Sequence, residues 1–503
     1  MTAPPLDPDI HRLMADPATH GGQPVQIIET HAACVFLAGD TAYKLKKPVD
    51  YGYLDFSDVE GRKAALAAEL AVNAANAPML YRRLGWIGRD AAGRLQLDAG
   101  DKVEPVLEMA RFDQAALLDQ WAKTGRVDGP VARDLADAIF ESHARAPQRP
   151  RSGEAARMRQ VLARVGAACR KEAGAPAARL DAVERALDNV LAEKAQTLDA
   201  RGRAGWVRRC HGDLHLQNIV MLDGAPVLFD ALEFDEKLAE IDTLYDLAFL
   251  VMDLVHRGLQ VEAAALLSQY AARLAPAEAD AIGLLPVFCG VRALIKAMTG
   301  YERGGEGDAD EAARYLALAE RCAAPHTPRL IGVGGLSGTG KSTLAEGLAS
   351  HLAPPPGALV LRADLERKAM LEIPWRDRLP EAAYTREASA RVYERQRIKS
   401  AAALNGGASV IVDAVHSRPD ERVALERVAR EAGAAFTGLW LDADRTVIEA
   451  RVAARTADPS DADRSVVAKQ ARYDSGEIGW MKIDASGGPG ANLTRALNAL
   501  GPA

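Results

Sequence analysis

The segment GLSGTGKST, at residues 335–343, constrains the fold of this chain more than any other feature of its sequence. It follows the strand-like run LIGVGG and precedes the helix-like run LAEGLASHL, which is the setting in which the pattern GxxxxGK[ST] binds phosphate groups. Its glycines let successive backbone N–H groups converge on phosphate oxygens, and the positive end of the following helix dipole adds to the attraction. The segment therefore predicts a nucleotide-phosphate site between a strand and a helix.

The individual residues of this loop have distinct expected contacts. Lys341 is expected to bridge the outer phosphates of a nucleotide, and the hydroxyl of Ser342 is expected to bind Mg²⁺. We predict nucleotide binding by the whole loop, with these candidate residues: Gly335, Ser337, Gly338, Thr339, Gly340, Lys341, Ser342 and Thr343.

Strand-like and helix-like segments alternate from residue 329 onward. The strand-like runs are LIGVGG, ALVLRAD, SVIVDAV, AFTGLWLDA and a short WMKIDA. Such alternation is typical of a parallel sheet covered by helices, so we predict an α/β nucleotide-binding domain with a five-stranded parallel sheet. Asp413 ends the third run, at a position where a carboxylate can hold magnesium beside the loop.

Arg451 and Arg455 lie four residues apart on a helical segment, and therefore on one helix face. Arginines that close over a nucleotide stabilise charge on a transferring phosphoryl group, so both are candidate catalytic residues. The alternative is a pair of solvent-exposed helix charges. Residues 329–485 resemble the nucleoside- and gluconate-kinase-type P-loop kinases and the zeta-toxin kinases. This resemblance implies that Asp364 handles an acceptor hydroxyl, and the alternative is that it caps the helix that follows it.

A second constellation comprises HGDLHLQN, at residues 211–218, and Asp230, which stands twelve residues further on. Phosphoryl transfer needs a carboxylate that orients an acceptor hydroxyl and takes its proton, and it needs oxygen ligands for Mg²⁺. Asp213 suits the first role, and Asn218 and Asp230 suit the second. The intervening run predicts two strands around a tight turn, which would bring these two ligands together. The alternative is a polar loop whose side chains only stabilise turns.

The same residues resemble the HGDxxxxN loop and the later Asp of the aminoglycoside phosphotransferase family, a branch of the kinase-like fold. The resemblance covers about residues 25–320. It implies a bilobal α+β kinase-like domain, with a small lobe over about residues 25–110 and a helical lobe over about residues 111–322. It also implies that Asp213 is catalytic and that Asn218 and Asp230 bind the metal.

The resemblance further implies a phosphate-binding lysine in the small lobe. Lys44, in the run TAYKLKK, is the candidate, but Lys46 lies on the same strand face and remains an alternative. Glu69, in the helix that follows, would position the lysine. Met109 would contact the adenine where the two lobes join.

Composition and length agree with a globular protein of more than one domain. The 503 residues are 48% apolar and 26% charged. We predict a kinase-like domain over residues 1–325 and a P-loop kinase domain over residues 326–503. The formal net charge of −7 argues against nucleic-acid binding. The five cysteines are too scattered for a disulfide framework or a zinc site, and the N-terminal segment lacks the apolar core of a secretory signal. We therefore expect a cytoplasmic protein without a membrane span.

The fused arrangement resembles bacterial proteins described as bifunctional aminoglycoside phosphotransferase-like and ATP-binding proteins. It predicts an enzyme with two sites for ATP and Mg²⁺ that phosphorylates hydroxyl groups of small polar molecules. The alternative is a regulatory nucleotide-binding protein in which one module senses ATP and controls the other. The sequence leaves the acceptors, the order of the two reactions and the oligomeric state open.

Overall fold

A computed structural model describes residues 5–30, 32–50, 55–172, 174–233, 236–352, 354–454, 458–470 and 473–501. The chain divides into two compact units, each built from several segments. The first unit comprises Met1–Arg126, Ser142–Arg149 and Val207–Ile241, and the second comprises Val127–Glu141, Pro150–Trp206 and Asp242–Ala503. The predicted domain boundary between residues 325 and 326 stays a prediction.

The helices and strands have the following bounds. The helices are α1 (Pro8–Ala15), α2 (Val59–Asn73), α3 (Leu118–Lys123), α4 (Gly129–Arg145), α5 (Glu154–Cys169), α6 (Ala177–Glu193), α7 (Ala195–Arg203), α8 (Glu236–Ala239), α9 (Thr243–His256), α10 (Gln260–Arg273), α11 (Leu285–Arg303), α12 (Glu306–Cys322), α13 (Lys341–Ala349), α14 (Ala363–Met370), α15 (Arg386–Asn405), α16 (Pro419–Glu431), α17 (Arg445–Ala453), α18 (Arg464–Gln470) and α19 (Pro489–Leu500). The strands are β1 (Val25–Glu29), β2 (Ala33–Ala38), β3 (Thr41–Lys46), β4 (Tyr81–Arg89), β5 (Leu95–Leu97), β6 (Asp101–Ala110), β7 (Val207–Arg209), β8 (Ile219–Leu222), β9 (Ala225–Leu228), β10 (Glu240–Asp242), β11 (Arg329–Gly334), β12 (Leu359–Arg362), β13 (Val410–Asp413), β14 (Ala435–Asp442) and β15 (Met481–Asp484).

The first unit contains an antiparallel sheet in the order β1-β2-β3-β6-β4-β5, as the strand-rich small lobe predicted. Side chains alternate between the two faces of a strand. Leu45 of β3 therefore packs in one apolar cluster, whereas Ala42 packs on the other face with Leu66 of α2. Lys44 and Lys46 share the face of Ala42, so both ammonium groups lie on the side that α2 covers.

A hairpin of β8 and β9 joins the two predicted metal ligands of this unit. Its turn residues Asp223 and Gly224 have φ values of +49° and +79°, which an Asp-Gly turn between twisted strands requires. At the base of the hairpin, the N–H of Phe229 donates to the carbonyl oxygen of Asn218 at 3.0 Å. The segment that carries Asp230 therefore returns to the end of the 211–218 loop, as the sequence predicted.

The second unit contains the predicted five-stranded parallel sheet, in the order β12-β13-β11-β14-β15. Strands such as β13 are buried at every position, which is typical of a parallel sheet covered on both faces. Ile331, Val360 and Ile411 belong to one apolar cluster with residues of α13 and α19. Ala264 of α10 belongs to the same cluster. Helix α10, which precedes the predicted P-loop kinase domain in sequence, therefore helps to form the core around this sheet.

One helical stretch, Pro276–Arg303, is long and apolar enough to cross a membrane by length and composition alone. However, 78% of its apolar window is buried inside the protein, as in many core helices, so it is weak evidence for a membrane span. All five cysteines are buried and none forms a disulfide: Cys34, Cys169, Cys210, Cys289 and Cys322.

Candidate functional site

The first candidate site, called the front site, lies where β3, α2 and the segment after β9 meet. The ammonium of Lys44 lies 2.6 Å from Oε1 of Glu69 and 2.7 Å from Oδ1 of Asp230. Burial by itself lowers the pKa of Lys44, but the two carboxylates outweigh it, so the pKa is raised well above its ordinary value. Burial raises the pKa of Asp230, but Lys44 outweighs it and lowers the pKa overall. The structure therefore brings these three predicted residues together.

Lys46 forms a second ion-pair cluster beside the first. Its ammonium lies 2.8 Å from Oε2 of Glu69 and 2.6 Å from Oε1 of Glu233. Glu69 therefore binds both lysines, one with each carboxylate oxygen. Burial raises the pKa of Glu233, and the charge of Lys46 opposes this. The contact with Asp230 favours Lys44 over Lys46 as the phosphate lysine.

The backbone of Asp230 adopts a left-handed conformation, with φ of +57°, which costs energy in a residue with a side chain. Two side chains hold this conformation. The hydroxyl of Tyr81 accepts the N–H of Asp230 at 3.0 Å, and Oδ1 of Asn73 accepts the N–H of Ala231 at 2.8 Å. Nδ2 of Asn73 in turn donates to the carbonyl oxygen of Glu69 at 2.9 Å. Helix α2 thus supplies the carboxylate beside Lys44 and also fixes the segment that carries Asp230.

The loop at residues 211–218 places Asp213 against two neighbouring side chains. Nδ2 of Asn218 donates to Oδ2 of Asp213 at 3.0 Å, and Nε2 of His215 lies 3.3 Å from the same oxygen. Because Asn218 uses its amide nitrogen on Asp213, its amide oxygen is the atom suited to a metal ion. The structure therefore brings the predicted base and the predicted amide ligand together.

Met109 lies in β6, and 8% of its surface is exposed. It packs in the apolar cluster that contains Leu66 and Leu107, and in register it pairs with Ala42 of β3 and Tyr81 of β4. The contact of Met109 with adenine stays a prediction. Its neighbour Tyr81 accepts the backbone N–H of Asp230 and so connects this strand to the front site.

The second candidate site, called the rear site, is built around the loop between β11 and α13. Gly335, Gly338 and Gly340 have φ values of +135°, +87° and +93°, a region that favours glycine. Lys341 begins α13, and its ammonium donates to the carbonyl oxygen of Leu336 at 2.9 Å. Ser342 and Thr343 follow it in the first turn of the helix. This is the curled backbone that the motif predicts.

Ser342 and Asp413 are in direct contact at this loop. The hydroxyl of Ser342 donates to Oδ2 of Asp413 at 2.5 Å. Burial raises the pKa of Asp413, and the positive charges of Arg362 and Lys341 oppose this. A hydroxyl and a carboxylate oxygen side by side are hard ligands that suit Mg²⁺. The rear site therefore fits the metal that the sequence predicts. At the front site, the amide oxygen of Asn218 and the carboxylate of Asp230 are hard ligands of the same kind.

Arg451 holds the phosphate-binding loop from α17. Its guanidinium donates to the carbonyl oxygens of Thr339 at 3.3 Å and Gly487 at 2.6 Å. Oε1 of Gln470 accepts the N–H of Ser337 at 2.7 Å from a second side of the loop. The alternative of an exposed helix charge therefore does not hold for Arg451. Arg455 lies outside the described residues.

Asp364 lines a cavity of about 1850 Å³ that opens beside the loop. The residue lies in the first turn of α14, and Arg362 occupies the cap position of that helix, so the alternative role of Asp364 as the helix cap is wrong. Side chains of both charges line the cavity, among them Lys341, Arg367 and Asp461. A polar cavity of this size beside a phosphate-binding loop can hold a small polar molecule as well as a nucleotide.

Two glycines near this loop, Gly338 and Gly347, are expected to respond in opposite ways to replacement by alanine. A Cβ on Gly338 would lie 2.8 Å from methyl carbons of Ile448 and Val452, at a φ of +87°. Gly347 lies inside α13, where a Cβ would lie 3.6 Å from Leu493, an ordinary contact.

We expect Gly338→Ala to lower the free energy of unfolding by roughly 1–3 kcal/mol and to weaken nucleotide binding at the rear site. We expect the matched control Gly347→Ala to raise the free energy of unfolding by about 0.5–1 kcal/mol, because alanine is the better helix former. Urea unfolding and nucleotide titration of both variants provide the test. Similar losses in both would contradict the assigned loop conformation.

Among the described residues, those that sequence reasoning missed at these sites include Asn73, Tyr81, Glu233 and Gln470. Two of them carry a faint local signal. Asn73 stands four residues after Glu69, on the same helix face, and Glu233 stands three residues after Asp230. Tyr81 and Gln470 reach their sites only through the tertiary fold.

Two family descriptions match two separate parts of the chain. Residues 51–282 match the phosphotransferase enzyme family, and residues 330–474 match a family described as an AAA domain. An uncharacterized protein of Mycobacterium tuberculosis is 30% identical over 485 residues, which cover 92% of this chain and 93% of that protein. The chain belongs to the same family as this protein. Its two matched regions join a phosphotransferase module to a P-loop module, and the protein is a kinase-type phosphotransferase.

Two solved structures are each similar to part of this chain. A choline/ethanolamine kinase family protein from Mesorhizobium loti is 18% identical, with a TM-score of 0.37, and the match covers 61% of this chain and 97% of that chain. A sugar kinase from a Janibacter species is 23% identical, with a TM-score of 0.27, and the match covers 34% of this chain and 94% of that chain.

Proposed function

We propose that the protein is an ATP-dependent phosphotransferase with two Mg-ATP sites that phosphorylates hydroxyl groups of small polar molecules. One observation carries this proposal. Each unit pairs a lysine with oxygen ligands of the kind that magnesium prefers: Lys44 with Asp230 in the first unit, and Lys341 beside Ser342 and Asp413 in the second.

At the front site, Asp213 is the proposed general base. Its carboxylate is held by Asn218 and His215, so it can accept a hydrogen bond from an acceptor hydroxyl and take the proton. Lys44 would bind the phosphates, and Glu69 keeps it in place. Asn218 and Asp230 would hold magnesium. Bound Mg-ATP would supply the phosphoryl group, and its magnesium ion would neutralise part of the charge on the phosphates.

At the rear site, the loop at residues 335–343 would bind the phosphates, and Ser342 and Asp413 would hold magnesium. Asp364 faces the cavity beside the loop and is the proposed partner of an acceptor hydroxyl. Arg451 binds the carbonyl oxygen of Thr339, so its proposed contribution is to fix the loop as well as to stabilise charge on the phosphoryl group.

The remaining parts of the proposal concern the setting of the reaction. The protein acts in the cytoplasm, which agrees with five buried cysteines that form no disulfide. Its partners are small-molecule acceptors, and neither nucleic acid nor a membrane is among them.

The test is an ADP-release screen of the full chain with sugars, nucleosides, amino alcohols and aminoglycosides as acceptors. We expect at least one class to raise ADP release well above the rate without acceptor, and we expect Lys341→Ala or Asp213→Asn to remove the increase at its own site. Slow ATP turnover that no acceptor changes would contradict the proposal and support a regulatory ATP sensor instead.

A further inference from the structure

A chain of ion pairs connects helix α4 to the candidate metal ligands of the rear site. Arg133 of α4 donates to Oε1 of Glu346 in α13, and the same oxygen accepts from Nη1 of Arg362 at 3.1 Å. Nε of Arg362 lies 3.7 Å from Oδ2 of Asp413. That oxygen is the one that accepts the hydroxyl of Ser342.

We propose that Arg133 is a positioning residue for the metal-binding end of the rear site. The proposal rests on the proposed function of that site in binding Mg-ATP. Arg133 precedes Glu346 by 213 residues and lies in the part of the chain that matches the phosphotransferase enzyme family. The region that matches the phosphotransferase enzyme family thus supplies a side chain that helps to position the groups of the rear site.

The charged side chains in this series of ion pairs are buried, so each one depends on its partners. Arg133 is 4% exposed, Glu346 is 8% exposed and Arg362 is 2% exposed. A buried charge that loses its partner is strongly unfavourable. Arg362 also lies 3.3 Å from Oδ1 of Asp458, so it serves three carboxylates. Arg133 neutralises Glu346 and thereby leaves Arg362 able to balance Asp413.

The loss of Arg133 would change this balance at the metal ligands. Glu346 would then attract Arg362 alone, and the pull of Arg362 on Asp413 would weaken. Glu346 also stands four residues after Ser342 on α13, hence on the same helix face, so a shift of this face would move the hydroxyl ligand as well. Magnesium binding should therefore weaken more than the binding of metal-free nucleotide, because the loop backbone that holds the phosphates is left in place.

Neighbouring contacts fix the position of Arg133. Asp134 accepts from Nε1 of Trp375 at 3.1 Å and from Nη2 of Arg376 at 2.5 Å. Asp137, one turn further on, accepts from Nε2 of Gln269 in α10 at 2.8 Å. The turn of α4 that carries Arg133 is therefore held in place by the contacts of Asp134 and Asp137, which keeps the guanidinium of Arg133 against Glu346.

The test measures nucleotide binding by the full chain, with Asp230→Asn present to weaken the front site. A fluorescent ATP analogue is titrated at increasing Mg²⁺ and also in EDTA. We expect Arg133→Met to raise the Mg²⁺ concentration for half-maximal binding about ten-fold, while affinity in EDTA changes less than about two-fold. The double variant Arg133→Met/Glu346→Gln should return close to the parent, because both buried charges are then absent. The control Arg159→Met removes an exposed pair with Asp188 and should change nothing.

An unchanged Mg²⁺ midpoint in Arg133→Met, or an equal loss of affinity in EDTA, would overturn the proposal. If circular dichroism shows that Arg133→Met does not fold, Arg133→Lys decides. Lysine keeps the charge but not the forked geometry, so we expect a midpoint raised about three-fold, and an unchanged midpoint overturns the proposal. If the parent shows no binding that Lys341→Ala removes, the proposed rear ATP site itself fails and this proposal fails with it.

Discussion

In a chain whose rear site is silenced by Lys341→Ala, Asp213→Asn is expected to lower acceptor phosphorylation by at least about 10², within the roughly 10²–10⁴ that a general base contributes. Asparagine keeps the size of the side chain and its hydrogen-bonding capacity near Asn218 and His215, but it cannot take a proton. Nucleotide affinity should barely change, because the proposed phosphate and metal contacts come from Lys44, Asn218 and Asp230.

The measurement compares Mg-ATP titration with acceptor-dependent ADP release in both proteins. Asp223→Asn provides a matched control, because it makes the same chemical change ten residues away in the hairpin turn. Its φ of +49° suits asparagine, so we expect no loss of stability or rate. Undiminished turnover in Asp213→Asn would show that Asp213 is not the base. A large loss of rate in Asp223→Asn as well would show that the reaction depends on the negative charge of this whole segment rather than on a base at position 213.

Arg362→Met is expected to lower the free energy of unfolding more than any other single substitution proposed for this protein. Arg362 is 2% exposed and lies between Glu346 and Asp413. Removing one partner from a buried ion pair typically costs about 3–5 kcal/mol, because a charge is left without compensation. We expect a loss of this size in the free energy of unfolding, together with weaker magnesium binding at the rear site, since the pKa of Asp413 would rise without Arg362.

Urea unfolding of the full chain measures this effect, and Arg445→Met is its control. Arg445 pairs with Glu449 on the surface of α17, at 2.7 Å, and such pairs contribute about 0–1 kcal/mol. If Arg362→Met proves as stable as the Arg445→Met control, the carboxylates around Arg362 are not held as charged groups, and the assignment of Asp413 as a metal ligand loses its support.

The parts of both sites that are local in sequence could be predicted. The loop at residues 335–343 and the hairpin before Asp230 depend on glycine and Asp-Gly turns, and these conformations are set by the residues themselves. The alternation of strand-like and helix-like segments after residue 329 likewise predicted a parallel sheet, because parallel neighbouring strands need a crossover helix between them. Asp213 and Asn218 come together because five residues separate them in one loop.

The parts that depend on distant pairing could not be predicted. Lys44 and Lys46 lie on one face of β3, so the strand pattern could not choose between them, and only the position of Asp230 favours Lys44. The pairs of Lys46 with Glu233 and of Arg133 with Glu346 join residues 187 and 213 positions apart. A buried charge on a helix or strand has the same sequence pattern as an exposed one, so the sequence does not indicate that Lys46 pairs with Glu233 or that Arg133 pairs with Glu346.

The central claim, that this kinase carries two separate Mg-ATP sites, is tested most directly by the binding stoichiometry of the full chain. Isothermal titration with a non-hydrolysable ATP analogue and excess Mg²⁺ should give two molecules bound per chain. Lys341→Ala should leave one and Asp230→Asn should leave one, because each change affects a different lysine–magnesium site. The combined variant should bind neither with measurable affinity. One molecule per chain in the unaltered protein, lost entirely in either single variant, would contradict the account.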